Sequence, residues 1–101
     1  MNVSILKKNF NNLGVEMKVF LTLVLCADKN GAINVKTVDL AKYLNVSRQT
    51  ISKHVKTFCT CGILKFKYSG KGIINPDFYF AGDVNSIDDA RQRYEKLTSD
   101  F

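Results

Sequence analysis

The sequence predicts a small α+β domain, mainly helical, and three observations predict it. Apolar residues recur at helical spacing in several separate stretches, and alternate like a strand only around residues 63–68. At 101 residues the chain can build one hydrophobic core, but not a core plus a separate catalytic lobe. Residues 1–101 are therefore expected to form a single domain. Its 46% hydrophobic and 24% charged content is ordinary for a globular protein, and no stretch is biased enough toward Pro, Gly or Ser to read as a linker.

Val3, Leu6 and Phe10 share one side of a short N-terminal helix. Gly14 interrupts, and Val15 to Asp28 reads as a mostly buried helix containing Phe20, Leu21, Leu23, Val24 and Leu25. Its apolar run, "VFLTLVLCA", falls far short of the ~18 to 20 residues needed to cross a bilayer. No signal-peptide pattern follows Lys7 and Lys8, so a cytoplasmic protein with no membrane partner is expected. Asn30-Gly31 marks a turn, and Ile33 to Val35 a short strand. Thr37 is suited to cap a two-turn helix, Val38 to Leu44, that turns Leu40, Ala41 and Leu44 inward.

"NVS" is a tight turn, and its Ser47 is a natural N-cap for the next helix, where a hydroxyl accepts from an orphan N–H of the first turn. Ile51, Val55, Phe58 and Cys59 then form a continuous apolar stripe. Gly62 ends the helix, since glycine takes the left-handed cap conformation most cheaply. "ILKFKY", Ile63 to Tyr68, is expected as a strand with Lys65 and Lys67 on one face and Leu64, Phe66 and Tyr68 on the other. "SGKG" turns a hairpin; Ile73-Ile74 begins the return strand, limited by Pro76 and continued by "DFYF" beyond a kink. Ser86 and Asp89 fit a capping box, opening a last helix with Ile87, Ala90, Tyr94 and Leu97 as its apolar stripe. Such a narrow stripe suits either the chain's own core or a second subunit.

The net charge of +6 is unevenly spread. From Lys36 to Lys71 eight basic residues face the single acid Asp39, whereas the rest of the chain holds seven basic and eight acidic residues. A local +7 attracts a polyanion, and each phosphate neutralised releases counterions. A merely solvating basic surface is the alternative that charge alone leaves open.

Helix, short helix, turn, helix, basic hairpin, helix is the order of a winged helix-turn-helix, with an extra N-terminal helix and a C-terminal helix after the wing. Once the stripe of the second helix of the pair is buried, Arg48, Gln49, Thr50, Ser52, Lys53, His54 and Lys56 remain outside, on a cylinder that fits a B-DNA major groove. Arg48 suits guanine O6 and N7, Gln49 adenine N6 and N7, and the Thr50 methyl a thymine. Ser47, Lys53 and Lys56 suit phosphates, and Thr37 can offer first-turn N–H groups to the same strand. Lys71, at the hairpin tip, would approach the minor groove or backbone with Lys65 and Lys67 in support. Each of these residues also reads as an ordinary solvated side chain, and His54 as a surface histidine.

Little here suits catalysis: one histidine, no paired carboxylates at a fixed helical spacing, and no G-x-S-x-G. "SGKG" lacks the spacing of a phosphate loop and sits in a hairpin. No catalytic residue and no cofactor are expected. Cys26, Cys59 and Cys61 are an odd number in a chain without an export signal, so reduced thiols are expected. C-x-C with His54 lacks the second clip of a tetrahedral zinc site, so no metal is expected either. A winged helix that binds protein instead of DNA is the main rival reading.

Val38 to Asp83, ending in "INPDFYFAGD", resembles the winged-helix part of RepL-type plasmid replication proteins, which are usually longer at the N-terminus. The length, the leading helix, "TFCTCGIL" and the helix after the wing resemble TubR-type plasmid partition proteins. That second resemblance implies a homodimer that binds repeated duplex sites in a plasmid centromere, represses its own operon and links the DNA to a tubulin-like GTPase filament. It assigns Ser47, Arg48, Gln49, Thr50 and Lys53 to DNA with Lys71 on the wing, and leaves Val3, Leu6 and Phe10 as a candidate subunit contact. Partition is the preferred role, ahead of replication and of a general transcriptional regulator.

Overall fold

A computed structural model describes residues 14–101. Helix α1 spans Val15–Cys26, α2 Thr37–Leu44, α3 Arg48–Thr60 and α4 Ile87–Lys96, with strands β1 Ala32–Asn34, β2 Leu64–Phe66 and β3 Lys71–Ile74. The fold is a mainly helical winged helix-turn-helix with a helix after the wing. The expected helix over Val3 to Phe10, and the subunit contact assigned to it, lie outside the described residues.

One core unites the elements. Val19 and Leu23 of α1, Leu40 and Ala41 of α2, and Ile51, Val55 and Phe58 of α3 close over Ile33, Leu64, Phe66 and Ile74 of the sheet. Removing such side chains from water stabilises the fold by about 1.5 to 3 kcal/mol each. Phe20 extends the core outward, meeting the rings of Phe58 at 5.6 Å and Phe78 at 5.8 Å, both edge-on.

Helix α1 stops two residues short of the expected Asp28. The Asp28 carboxylate accepts from the N–H groups of Asn30 and Ala32 at 2.8 and 3.0 Å, turning the chain directly into β1. The helix is also less buried than its composition suggests: Val19, Leu21 and Leu23 are inside, while Val15, Met17 and Leu25 are exposed.

The helix-turn-helix follows from two backbone reversals and one cap. Asn45 takes the left-handed conformation (φ 57°, ψ 47°), its N–H donating to Lys42 O while Val46 N–H reaches Ala41 O. Ser47 caps α3 as its position predicts, its Oγ accepting from Thr50 N at 3.1 Å. Ser47→Ala is expected to cost about 0.5 to 2 kcal/mol in chemical denaturation, and Ser47→Asp much less. Gly62, at φ +77°, closes α3 as expected: its N–H donates to Cys59 O and that of Ile63 to Phe58 O. Thr37 is not a cap. It is the first residue of α2, and extended Lys36 holds the cap position without a side-chain bond. Val35 is still tied to Gly70 O, which leaves Lys36 to make the turn into the helix.

The expected two-stranded hairpin is part of a three-stranded antiparallel sheet in the order β1-β3-β2. β1 covers 32–34 instead of 33–35, pairing Ile33 with Gly72 and Ala32 with Ile73. β2 ends at Phe66, earlier than Tyr68, and β3 begins at Lys71, before Ile73. Gly72 lies opposite Phe66 in the middle strand. A Cβ there would sit 2.7 Å from both the Lys65 carbonyl oxygen and the Phe66 ring, so the missing side chain makes room for that ring.

"DFYF" does not continue the strand. Asn75 accepts from Asp77 N at its side chain and from Phe78 N and Tyr79 N at its carbonyl, making a tight turn around buried Pro76. The Ser86 capping box is also absent. A 3-10 turn over Val84–Ser86 leads straight into α4, leaving Ser86 in a near-helical conformation with its hydroxyl off the first turn. Asp89 pairs instead with Arg93 at 3.0 Å. Of the predicted stripe, Ala90 is buried, and Ile87, Tyr94 and Leu97 are half-buried.

Candidate nucleic-acid interface

Helix α3 has two chemically distinct sides because its stripe is spent inward: Ile51 and Val55 are fully buried and Phe58 nearly so. Outward, Arg48, Gln49, Ser52, Lys53 and Lys56 form one wall of an open cleft of about 720 Å³. Tyr68, Asp100 and Phe101 form the opposite wall. Three cations therefore face a space that contains one acid. Among the described residues the ion pairs lie elsewhere, at His54–Glu16, at Arg91 with Asp77 and Asp88, and at Arg93–Asp89. Arg48, Lys53 and Lys56 thus line one cleft, and none of the three forms an ion pair among the described residues.

The other predicted residues are distributed differently. Ser47 and Thr50 share a hydrogen bond between their hydroxyls at 2.8 Å at the start of α3, beside the cleft and not among its lining side chains. His54 is not on the outward face: its side chain is 15% exposed and its Nδ1 lies 3.3 Å from the Glu16 carboxylate, without the alignment of a hydrogen bond. Helical rotation explains this, since one position past Lys53 the side chain swings toward α1.

Among the wing lysines, Lys65 donates through Nζ to the Tyr94 carbonyl at 2.8 Å and sits 4.5 Å above the Tyr94 ring, so its charge serves the contact with α4. Lys71 is not at the hairpin tip. It is the first residue of β3, opposite Asn34, and lines a separate depression of about 310 Å³ with Arg93 and Leu97. The tip is Tyr68-Ser69-Gly70, inside a turn closed by Lys67 N–H to Lys71 O at 2.8 Å and Gly70 N–H to Lys67 O at 2.9 Å. Lys67 flanks that turn, half-buried, and Thr37 is half-buried at the start of α2.

The second wall of the cleft was not legible as a site. The segment after α4, residues 97–101, runs beside β2: Asp100 N–H donates to Phe66 O at 2.9 Å, and Phe66 N–H to Ser99 Oγ at 3.3 Å. Asp100 Oδ2 then accepts from Tyr68 N–H at 2.9 Å. The Phe101 ring meets Phe66 at 5.8 Å and Tyr68 at 5.1 Å, both edge-on. The signal for Tyr68 was local, because the Ser-Gly turn begins directly after it and carries it past the strand. For Asp100 and Phe101 no local signal exists, since their contacts with Phe66 and Tyr68 span more than thirty residues.

The thiols are spread out. Cys59 is half-buried beside Ser99 Oγ at 3.4 Å, and burial pushes its pKa up despite opposing hydrogen bonds from Ser99 and the Phe66 backbone. Cys26 and Cys61 are exposed. Among the described residues, no group of three or more His, Cys, Asp or Glu is arranged to hold a metal, and no helix is long and apolar enough to cross a membrane.

The model of a helix-turn-helix domain family matches residues 12–64, just over half of the chain, from before α1 to the first residue of β2. No curated protein and no solved structure matches the sequence.

Proposed function

We propose that this chain, which belongs to the helix-turn-helix domain family, binds double-stranded DNA sequence-specifically by laying α3 in the major groove. One observation carries the reading: Arg48, Gln49, Ser52, Lys53 and Lys56 share an outward wall of α3 whose inward stripe is consumed by the core. A major groove is about 12 Å wide and takes a helix of this width with its side chains. Arg48 and Gln49, in the first turn, read base edges; Thr50 offers its methyl to a thymine; Lys53, Lys56 and Ser47 hold phosphates. Lys67 on the wing and Thr37 at the start of α2 add backbone contacts, and Lys65 and Lys71 contribute only to the general positive field.

The biological role is that of a plasmid-maintenance protein, a cytoplasmic homodimer that binds repeated centromere sites, represses its own operon and couples the DNA to a tubulin-like GTPase filament. The resemblance to TubR-type proteins, which covers nearly the whole chain, supports it. The "INPDFYFAGD" likeness to RepL-type replication proteins carries less weight. In this fold Asn75 is spent on the Gly62 carbonyl at 2.9 Å and Phe78 on Phe20, so these residues serve packing that many winged helices could need.

Binding to a duplex library at several salt concentrations tests the DNA reading. The slope of log affinity against log salt is expected to be several units, and to fall by about one for each of Lys53→Ala and Lys56→Ala. A salt-independent affinity, or none at low salt, would remove the reading and favour a protein partner.

A further inference from the structure

We infer that Tyr68, beside Lys67, is a contact of the wing tip with the DNA backbone, and that Phe101 and Asp100 are the residues that position it. This rests on the duplex-binding reading above and moves the wing contact from Lys71, which faces another depression, to an uncharged aromatic side chain.

Tyr68 is 73% exposed, yet it is held from three sides. Its N–H is fixed by the Asp100 carboxylate, its ring by an edge-on contact with the Phe101 ring, and its place in the chain by the turn that starts at Lys67. Exposing a large aromatic group gains nothing for the fold, and immobilising it costs side-chain entropy. Both costs make sense where the ring meets a ligand, because a residue already held in its bound geometry loses less freedom on binding.

Its surroundings identify the ligand. Tyr68 stands across the cleft from Arg48, Lys53 and Lys56, so a polyanion drawn to those cations passes beside it. A phenol suits the backbone of a duplex: its O–H can donate to a phosphate oxygen while the ring face packs on deoxyribose. Such contacts are largely blind to sequence. Asp100 is the single acid of the cleft, and it accepts a hydrogen bond from the Tyr68 backbone. Its role is to anchor the wing tip, and its charge is tolerated there by three opposing cations.

The test is duplex affinity for Tyr68→Ala, Tyr68→Phe, Phe101→Ala and the Tyr68→Ala/Phe101→Ala pair, each first checked for an intact thermal transition. Tyr68→Ala is expected to bind preferred and unrelated duplexes alike roughly tenfold more weakly. Its salt slope should stay that of the parent, since no cation has been removed. Tyr68→Phe is expected to lose part of this. Phe101→Ala should weaken binding in the parent but add nothing in the Tyr68→Ala background, because a positioning residue acts only through the residue it positions.

Unchanged affinity in Tyr68→Ala would overturn the proposal. So would tighter binding by Phe101→Ala, which would make the segment 97–101 a plug competing with DNA. Equal losses for Phe101→Ala in both backgrounds would overturn the positioning role. If the parent chain itself binds no duplex, the reading of its function fails first, and the wing contact with it.

Discussion

Phe66→Ala is expected to leave the chain largely unfolded, or to shift its urea midpoint further than any other single truncation. The side chain is fully buried, and its ring occupies space that Gly72 leaves open in the middle strand. Alanine would remove the ring's burial and leave a cavity against a backbone that cannot collapse onto it, a cost of about 3 to 5 kcal/mol. Total stability for a domain of this size is only about 5 to 15 kcal/mol. The ring also holds Phe101 in place, so the loss extends to segment 97–101. Phe66→Leu, which keeps most of the volume, is expected to cost markedly less. A loss of under about 1 kcal/mol for the alanine variant would contradict the packing described.

Arg48→Ala is expected to be the largest single loss in binding without any loss of stability. Arg48 lies in the first turn of α3, exposed on the cleft wall. Nothing in the core depends on it. A guanidinium bonded bidentately to guanine discriminates by about 1 to 3 kcal/mol, or roughly five- to 150-fold. The loss should therefore concentrate on the preferred duplex and relax selection at one base pair. Arg48→Lys should restore the field but not the selectivity, because an ammonium lacks the planar fork. Equal weakening on every sequence would instead mark Arg48 as a phosphate contact, and the base-reading role would pass to Gln49.

The helix-turn-helix was legible because its determinants are local. Ser47, the stripe Ile51-Val55-Phe58 and Gly62 each act within one turn of their own position, and each does in the structure what its chemistry predicts. The failures share the opposite cause. His54 looked outward on spacing alone, but the packing of α3 against α1 turned it toward Glu16. Lys71 looked like a tip because strand ends are set by pairing with β1, a partner almost forty residues earlier. Ser86 had the right neighbours for a capping box, and a preceding 3-10 turn overrode it. Half of the cleft was invisible for the same reason, since Asp100 and Phe101 reach it only when the chain returns past β2.

That return also bears on how the protein behaves at high concentration. In the order β1-β3-β2, β2 is a border strand, and Phe66 and Tyr68 turn their backbone groups away from β3. Left bare, such a row is a template on which a strand of another molecule can add. Here the Phe66 N–H meets Ser99, the Phe66 carbonyl accepts from Asp100, and the Tyr68 N–H is held by the Asp100 carboxylate. At Phe66 and at the Tyr68 N–H the border that flanks the cleft is therefore already satisfied by the chain itself. A strand of a second copy therefore finds no free Phe66 N–H or carbonyl on which to add.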